Sequence, residues 1–470
     1  MADPTARINA NKGGIAPLIT TEVSIFEPTP YEAYNIFAVD DSAETEFIGQ
    51  PANWGEICRF PLRKRGGRVG RTYVELTVNV PVTPAIGVVT AAWVDDLGAN
   101  MIEEVKVKYS SKDVHVYRGE ALKFYQRIMD HDITKEHYNG NQNAGLSGVT
   151  GEKLRSNTQV PNSYQGFLTA GSFPLRINLD WLWWTKEDEN ALATEALASE
   201  IIVEIKFRRL EELIYARAIG TTNPLDPFAG IARPTIQQAT LKHELIFTPK
   251  VEASKHLSRY ENRRGLMFKI LDFEEQLNNF VARPAAGTTA VVKIPLTNFR
   301  LDSQFLFFVV RDARINTAWG LDRASSDNTW SNVMSGLAAA DTSVLALNNN
   351  QSGALNAISR FRITANGSVL LDWVEEFENR GVWRNKYFPG SQISGAVYFA
   401  PFAKKLRDVK NCAGYQNMSN LGSVNLEIEL STPAADRNPG AAALGYIVDC
   451  YNVCHNVIQM AQGDIVKALR

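Results

Sequence analysis

Residues 412–430 read CAGYQNMSNLGSVNLEIEL. The first half is small, polar and turn-forming. From Val424 onward, apolar residues (Val424, Leu426, Ile428, Leu430) alternate with Asn425, Glu427 and Glu429. That period of two describes a strand with one face in a core and the other in water. A polar turn that feeds straight into such a strand sets the question of what sheet it enters.

The rest of the chain repeats the pattern. In RTYVELTVNV (71–80), Val74, Leu76, Val78 and Val80 alternate with Tyr73, Glu75, Thr77 and Asn79. EVKVKYS (104–110) sets Val105, Val107 and Tyr109 against Lys106 and Lys108, and EIIVEIKFRRL (200–210) sets Ile201, Val203, Ile205 and Phe207 against Ile202, Glu204, Lys206 and Arg208. Further strands are predicted at 241–248, 266–272, 303–311, 359–364, 396–402, 424–430 and 444–454. Helical spacing is confined to GEALKFYQRIMDH (119–131), with Leu122, Tyr125, Ile128 and Met129 on one face, to EDENALATEALASE (187–200), and to TPKVEASKHLSRYENR (248–263). Many strands with few short helices predict an all-β chain of sandwiches or barrels.

A chain of 470 residues is long for one core. An apolar content of 45% with 21% charged residues is that of a folded globular protein. A formal charge of −2 leaves no global signature for nucleic acid or an acidic membrane. The longest apolar runs, such as FLFFVV (305–310), fall far below the roughly 20 residues of a membrane-spanning helix. MADPTARINANKGG has no basic start followed by an apolar block, so no secretory signal is expected, and four cysteines do not make a disulfide scaffold.

Long Gly/Asn/Ser-rich stretches interrupt the strands at 138–166 and 319–355, beyond ordinary loop length. A third, 218–235, carries Pro224, Pro227 and Pro234 and reads as a linker between two strand-rich halves. The expected division is an arm over 1–40, a first unit over 41–217, the linker 218–235 and a second unit over 236–470. No sequence repeat relates the halves, although each has a long loop late in its strand series.

Candidate chemistry is sparse. DHDITKEH places His131 and His137 beside Asp130, Asp132 and Glu136, but the spacing fits no zinc pattern, and a solvated helix end is the plainer reading. Cys450, Cys454 and His455 lie close in sequence. On a strand, residues four apart sit about 13 Å apart along the axis, too far to share one tetrahedral ion. Cys450 and Cys454, with Cys412, read as buried free thiols. RKRGGRVGR gathers Arg63, Lys64, Arg65, Arg68 and Arg71 without the closing Lys-Ser/Thr of a phosphate loop or interleaved aromatics. It fits an acidic patch on a neighbouring subunit better than nucleic acid or lipid headgroups. LDWLWWTKEDE (179–189) holds Trp181, Trp183 and Trp184, which suit either a sugar platform or a plug in a core or seam, and the plug is the more ordinary use. Asn350, Asn366 and Asn417 are N-x-S sequons. No catalytic residue, metal ligand or cofactor site is assigned, and no enzyme activity is expected.

Several segments in order resemble the major capsid proteins of the large icosahedral nucleocytoplasmic DNA viruses. NCAGYQNMSNLGSVNLEIEL is similar to the family's turn-then-strand block, keeping Gly414, Asn417 and Ser419 but lacking its proline and first serine. YNVCHNVIQMAQGDI offers Asn456, Ile458 and Gly463 for the following strand, and ITANGSVLLDWVEEF carries the N-G turn at Asn366 and Gly367. In the first half, Trp93, Gly98, Ile102, Val105 and Gly119 fall on a matching W-V…G…I-x-x-V series, and FPLRINLDWLWW…EIIVEIKFRRLEELI resembles the closing strands. ALATEAL and FPLRKRGGRVG depart from the family's usual sequences.

The resemblance implies two consecutive eight-stranded jelly rolls with long loops. It implies a pseudo-hexagonal homotrimer, a capsomer tiling the icosahedral shell of a double-stranded DNA virus. Its implied partners are itself, minor capsid proteins and the inner viral membrane, reached by the 1–40 arm. Its implied place is the virion capsid, assembled in host cytoplasm. The 319–355 and 138–166 loops are expected to be outer towers or inter-subunit clasps. A transient scaffold protein of the same fold and a β-sandwich carbohydrate-binding protein are the alternatives.

Overall fold

The computed structural model describes residues 37–40, 47–48, 52–62, 68–82, 89–93, 101–121, 170–179, 181–185, 191–218, 226–247, 258, 265–282, 284, 288–312, 358–388, 397–406, 414–431 and 446–467. Strands dominate them. The first half carries β1 (Phe37–Asp40), β2 (Phe47–Ile48), β3 (Ile57–Leu62), β4 (Arg68–Val80), β5 (Val89–Trp93), β6 (Ile102–Tyr109), β7 (Lys112–Arg118), β8 (Gly171–Asn178), β9 (Leu192–Ala193), β10 (Ile201–Phe207), β11 (Ile214–Ala218) and β12 (Thr235–Phe247). The second carries β13 (Leu266–Val281), β14 (Thr289–Pro295), β15 (Asp302–Asp312), β16 (Ile358–Ala365), β17 (Ser368–Glu375), β18 (Val397–Pro401), β19 (Gln416–Asn417), β20 (Val424–Ser431), β21 (Tyr446–Ala461) and β22 (Asp464–Lys467).

Both halves follow one plan. The first half has a sheet in the order β1-β12-β4-β8 facing one in the order β3-β10-β6-β7. The second has β13-β21-β15-β18 facing β14-β20-β16-β17. Setting aside the short accessory strands, each half pairs its first principal strand with its eighth, second with seventh, third with sixth and fourth with fifth, all antiparallel. This nested pairing, folded over into two packed sheets, is a jelly roll.

The alternation seen in sequence is what fills the two cores. Val74, Leu76, Val78 and Val80 are buried, as are Val105, Val107 and Tyr109, and Ile201, Val203, Ile205 and Phe207. In the second roll Phe308 of one sheet stacks on Tyr398 (5.2 Å, 18°) and meets Phe361 of the facing sheet edge-on (5.1 Å, 81°). Each such aromatic pair adds about 1 kcal/mol to its burial. β21 is buried along nearly its whole length, on both faces. On its outer side Tyr451 stacks on Phe307 (4.8 Å, 15°), and the segment after β17 covers the sheet by setting Phe388 against Phe305 and Phe399.

Principal strands alternate in direction, so connections leaving odd-numbered ones gather at one end of each roll. The tight connections lie at the other end. Ser110 and Ser111 (φ 47° and 67°) join β6 to β7, and Asn366 and Gly367 (φ 51° and 79°) join β16 to β17. Two residues with positive φ between antiparallel strands make the turn whose twist suits a hairpin.

Three expectations need correction. Thr235–Phe247, assigned by sequence to the linker's last residue and the second unit, is the eighth strand of the first roll, bonded to β1 and β4. Residues 37–40, assigned to the arm, are that roll's first strand. Of the helix expected over 187–200, the described part from 191 onward is instead β9 followed by a single 3₁₀ turn, Thr194–Ala196. Ala191, Leu192, Ala193 and Leu197 are buried there, and packing overrides the helix propensity of their residue types. The arm over 1–36, the loops 138–166 and 319–355, and most of the helices expected at 119–131 and 248–263 lie outside the described residues.

Candidate functional site at the seam between the rolls

The turn that leads into β20 ties off the closed end of the second roll. Asn417, buried in β19, donates through Nδ2 to Asp302 Oδ1 (2.6 Å). Its Oδ1 accepts from the Ser419 hydroxyl (2.6 Å) and the Asn420 N–H (3.0 Å). Asn366 Oδ1 accepts the Ser423 N–H (2.9 Å), which fastens the β16–β17 hairpin to the start of β20. Glu274 receives the N–H groups of Arg300 and Leu301 and the side chain of Asn452. The sequon at Asn417 is therefore occupied by internal bonds, and Asn350 lies outside the described residues.

A second polar cluster joins the two rolls. His115 of β7 faces Asp272 of β13 across the seam, with Nε2 3.9 Å from the carboxylate. Asp272 is paired with Lys467 of β22 and accepts from Asn456 Nδ2 (2.9 Å). Burial acts to raise the Asp272 carboxyl, but Lys467, His115 and the bonds from Lys467 and Asn456 outweigh it and hold the group below its usual range. His115 is 2% exposed, and neither ring nitrogen has a hydrogen-bond partner, so burial pushes its pKa down to about 4. Nearby, Arg118 reaches Glu275 (3.2 Å), yet burial outweighs this pairing and pushes the carboxyl up to about 7.

Backbone and aromatic contacts complete the seam. The Gly463 carbonyl, in the turn before β22, accepts from the Ala198 N–H (2.9 Å) and the Tyr109 hydroxyl. Trp181 packs edge-on against Phe273 (5.5 Å), Trp183 lies 6.1 Å from His115, and Trp184 donates to Thr72 Oγ1 (3.0 Å) inside the first roll. All three tryptophans are buried, so they plug the seam and the adjoining core and offer no platform to a sugar.

The remaining sequence candidates separate. Cys450 and Cys454 are buried free thiols on one face of β21, and burial drives both far above the usual thiol range. His455 points to the opposite face, where burial lowers it to about 3. His131, His137, Cys412 and residues 63–67 of the basic run lie outside the described residues, while Arg68 and Arg71 lie on β4. Among the described residues no group of three or more His, Cys, Asp or Glu is placed to hold a metal, and no helix is long and apolar enough to cross a membrane.

Two eight-stranded rolls, each nested first-to-eighth and locked side by side, decide the fold. The chain has the double jelly-roll fold. Among solved structures, this double jelly roll superposes on VP54 of PBCV-1 with a TM-score of 0.68 at 15% identity, over 95% of this chain and 100% of that one. It superposes on the Faustovirus major capsid protein with a TM-score of 0.55 at 10% identity, over 93% and 92% of the two chains. A chain of the Sputnik virophage structure gives 0.55 at 9% identity, over 94% and 90%. No family model and no curated protein matches the double jelly roll by sequence.

Proposed function

We propose that this protein is a structural subunit of a viral capsid, the major capsid protein of a large icosahedral double-stranded DNA virus, and that it works by assembly. The observation that carries the reading is the double jelly roll itself, which extends over 95% of the chain and 100% of VP54 of PBCV-1, a protein of that virus's capsid. Two pseudo-equivalent rolls joined at a seam give one chain two similar lobes. Three such chains in cyclic symmetry present six lobes around an axis, a near-hexagonal outline that tiles a shell through repeated contacts.

In this reading the connections leaving the open ends of the rolls, 138–166 and 319–355 included, form outer towers or clasps between subunits. Residues 1–36 reach towards minor capsid proteins or an inner membrane, and assembly takes place in host cytoplasm. The chain has no enzymatic role. The buried tryptophans weigh against the carbohydrate-binding alternative. Native mass measurement and negative-stain imaging of the purified protein test the proposal. Trimers with a hexagonal outline are expected, and a folded monomer at every concentration would overturn it.

A further inference from the structure

Asp272 holds more than an ion pair. Its Oδ2 receives both the Lys467 ammonium and Nδ2 of the Asn456 side chain (2.9 Å), while its Oδ1 accepts the Phe273 N–H (3.1 Å). An amine and a carboxamide are thereby gathered on one carboxylate oxygen. The strand register explains how they meet. Lys467 of β22 lies opposite Ile458 of β21, and Asn456, two residues along β21, shares the face of Ile458. Gln462 and Gly463, with φ of 53° and 80°, make the tight turn that folds β22 back onto β21.

The surroundings suit a reaction between the two. Asn456 is 0% exposed and Asp272 4%, and His115 of the first roll closes the site, with Trp183 6.1 Å from its ring. Asn456 Oδ1 accepts the Val457 N–H (2.8 Å). That donor sits on the oxygen where negative charge gathers when a nucleophile adds to the amide carbon. Holding both groups on one carboxylate replaces a chance encounter with a fixed one, and excluding water removes the competing nucleophile.

We propose that Lys467 and Asn456 become joined by an intramolecular isopeptide bond, with Asp272 as the catalytic base and acid. Asp272 takes a proton from the Lys467 ammonium, and the freed Nζ lone pair attacks Cγ of Asn456. Asp272 then hands that proton to Nδ2 and takes the one that the new bond displaces from Nζ. The Cγ–Nδ2 bond breaks and neutral ammonia leaves. An ion pair and a primary amide become a secondary amide, a protonated carboxyl and ammonia, with no change of oxidation state. The Lys467–Asp272 ion pair is the state from which the bond forms. Because His115 closes the site only when the rolls have docked, the bond follows docking and staples the last strand, otherwise held by a short ladder, to β21.

The test is the intact mass of the full chain, freshly purified and aged, followed by digestion with trypsin and then cyanogen bromide, which cuts at Met460 between the two residues. The wild type is expected to be lighter by one ammonia, to resist trypsin after Lys467, and to keep the fragments on either side of Met460 joined. Lys467→Arg keeps a cation beside Asp272 but has no free amine, and is expected to show the full mass and separate fragments. Asp272→Asn is expected to slow bond formation by about a hundredfold or more. Wild-type protein of full mass, fresh and aged, overturns the proposal whatever the variants do. So does a loss of ammonia with separable fragments, which marks cyclisation at asparagine alone. A bond that forms as fast in folded Asp272→Asn overturns the role of Asp272.

Discussion

At the scale of single residues, the seam holds two groups that titrate in opposite senses. Burial lowers His115 to about 4, with Lys467 adding to the effect and Asp272 opposing it. The fold therefore favours the neutral ring. This stabilisation is complete above the ordinary histidine value of 6.5 and is lost as pH falls towards 4. Burial raises Glu275 to about 7, with Arg118 opposing and Glu120, Asp449 and Glu104 adding. There the neutral carboxyl is favoured, so its stabilisation is complete below 4.5 and is lost as pH rises through 7. Between pH 4.5 and 6.5 the two contributions offset each other. Removing either exposes the other. The stability of His115→Phe minus wild type is expected to fall by about 3 kcal/mol from pH 4 to 6.5, while Glu275→Gln minus wild type rises by about 3 kcal/mol from 4.5 to 7. Urea midpoints across pH 4–8 check both, and difference curves of the same sign would refute the assignment. Neither group was visible in sequence, because His115 and Glu275 lie in different halves and only the folded seam desolvates them.

At the scale of elements, the turn of 412–430 and two glycines test how corners set the fold. Asn417→Ala would strip the buried Asp302 carboxylate of a donor and leave Ser419 and Asn420 without their acceptor. A loss of about 3 kcal/mol is expected in denaturant titration. Gly367 holds φ 79° with nothing within 4 Å of an added Cβ, so Gly367→Ala should cost only the backbone term, about 1 kcal/mol. An added Cβ at Gly119 would sit 2.0 Å from the Ile102 carbonyl oxygen, and backbone must move to admit it. Gly119→Ala is therefore expected to cost on the order of 3–5 kcal/mol, and thermal melts of the two glycine variants should separate clearly. Strand positions were readable because one face of each sheet is core, as Val105, Val107 and Tyr109 show. Element ownership was not: 241–248 reads as a strand, but only the bonds of Thr235–Phe247 to β1 and β4 assign it to the first roll. The 187–200 stretch misled because Ala, Glu and Leu favour a helix in isolation, whereas here buried Leu192 and Leu197 hold it extended with a single turn.

At the scale of the whole molecule, duplicated topology without a sequence repeat means that each roll meets the packing demands of the same strand order with its own residues. The first roll brings Trp184 against Thr72, and the second brings Phe308 between Tyr398 and Phe361. What makes one body of them is the seam, and its charge balance depends on the last strand of the chain. Lys467 is the cation paired with Asp272; without it a buried carboxylate keeps only neutral neighbours, the Asn456 side chain, the Phe273 N–H and the His115 imidazole. Leaving one partner of a buried pair uncompensated costs about 3–5 kcal/mol. That loss falls on the contact between the rolls, because Asp272 faces His115 of the first roll across the seam. Lys467→Met is therefore expected to turn a single calorimetric unfolding transition into two, the rolls melting separately. Adding Asp272→Asn, which removes the stranded charge, should bring the transitions back together. If Lys467→Met still melts in one step at the wild-type temperature, the Lys467–Asp272 pair does not couple the rolls.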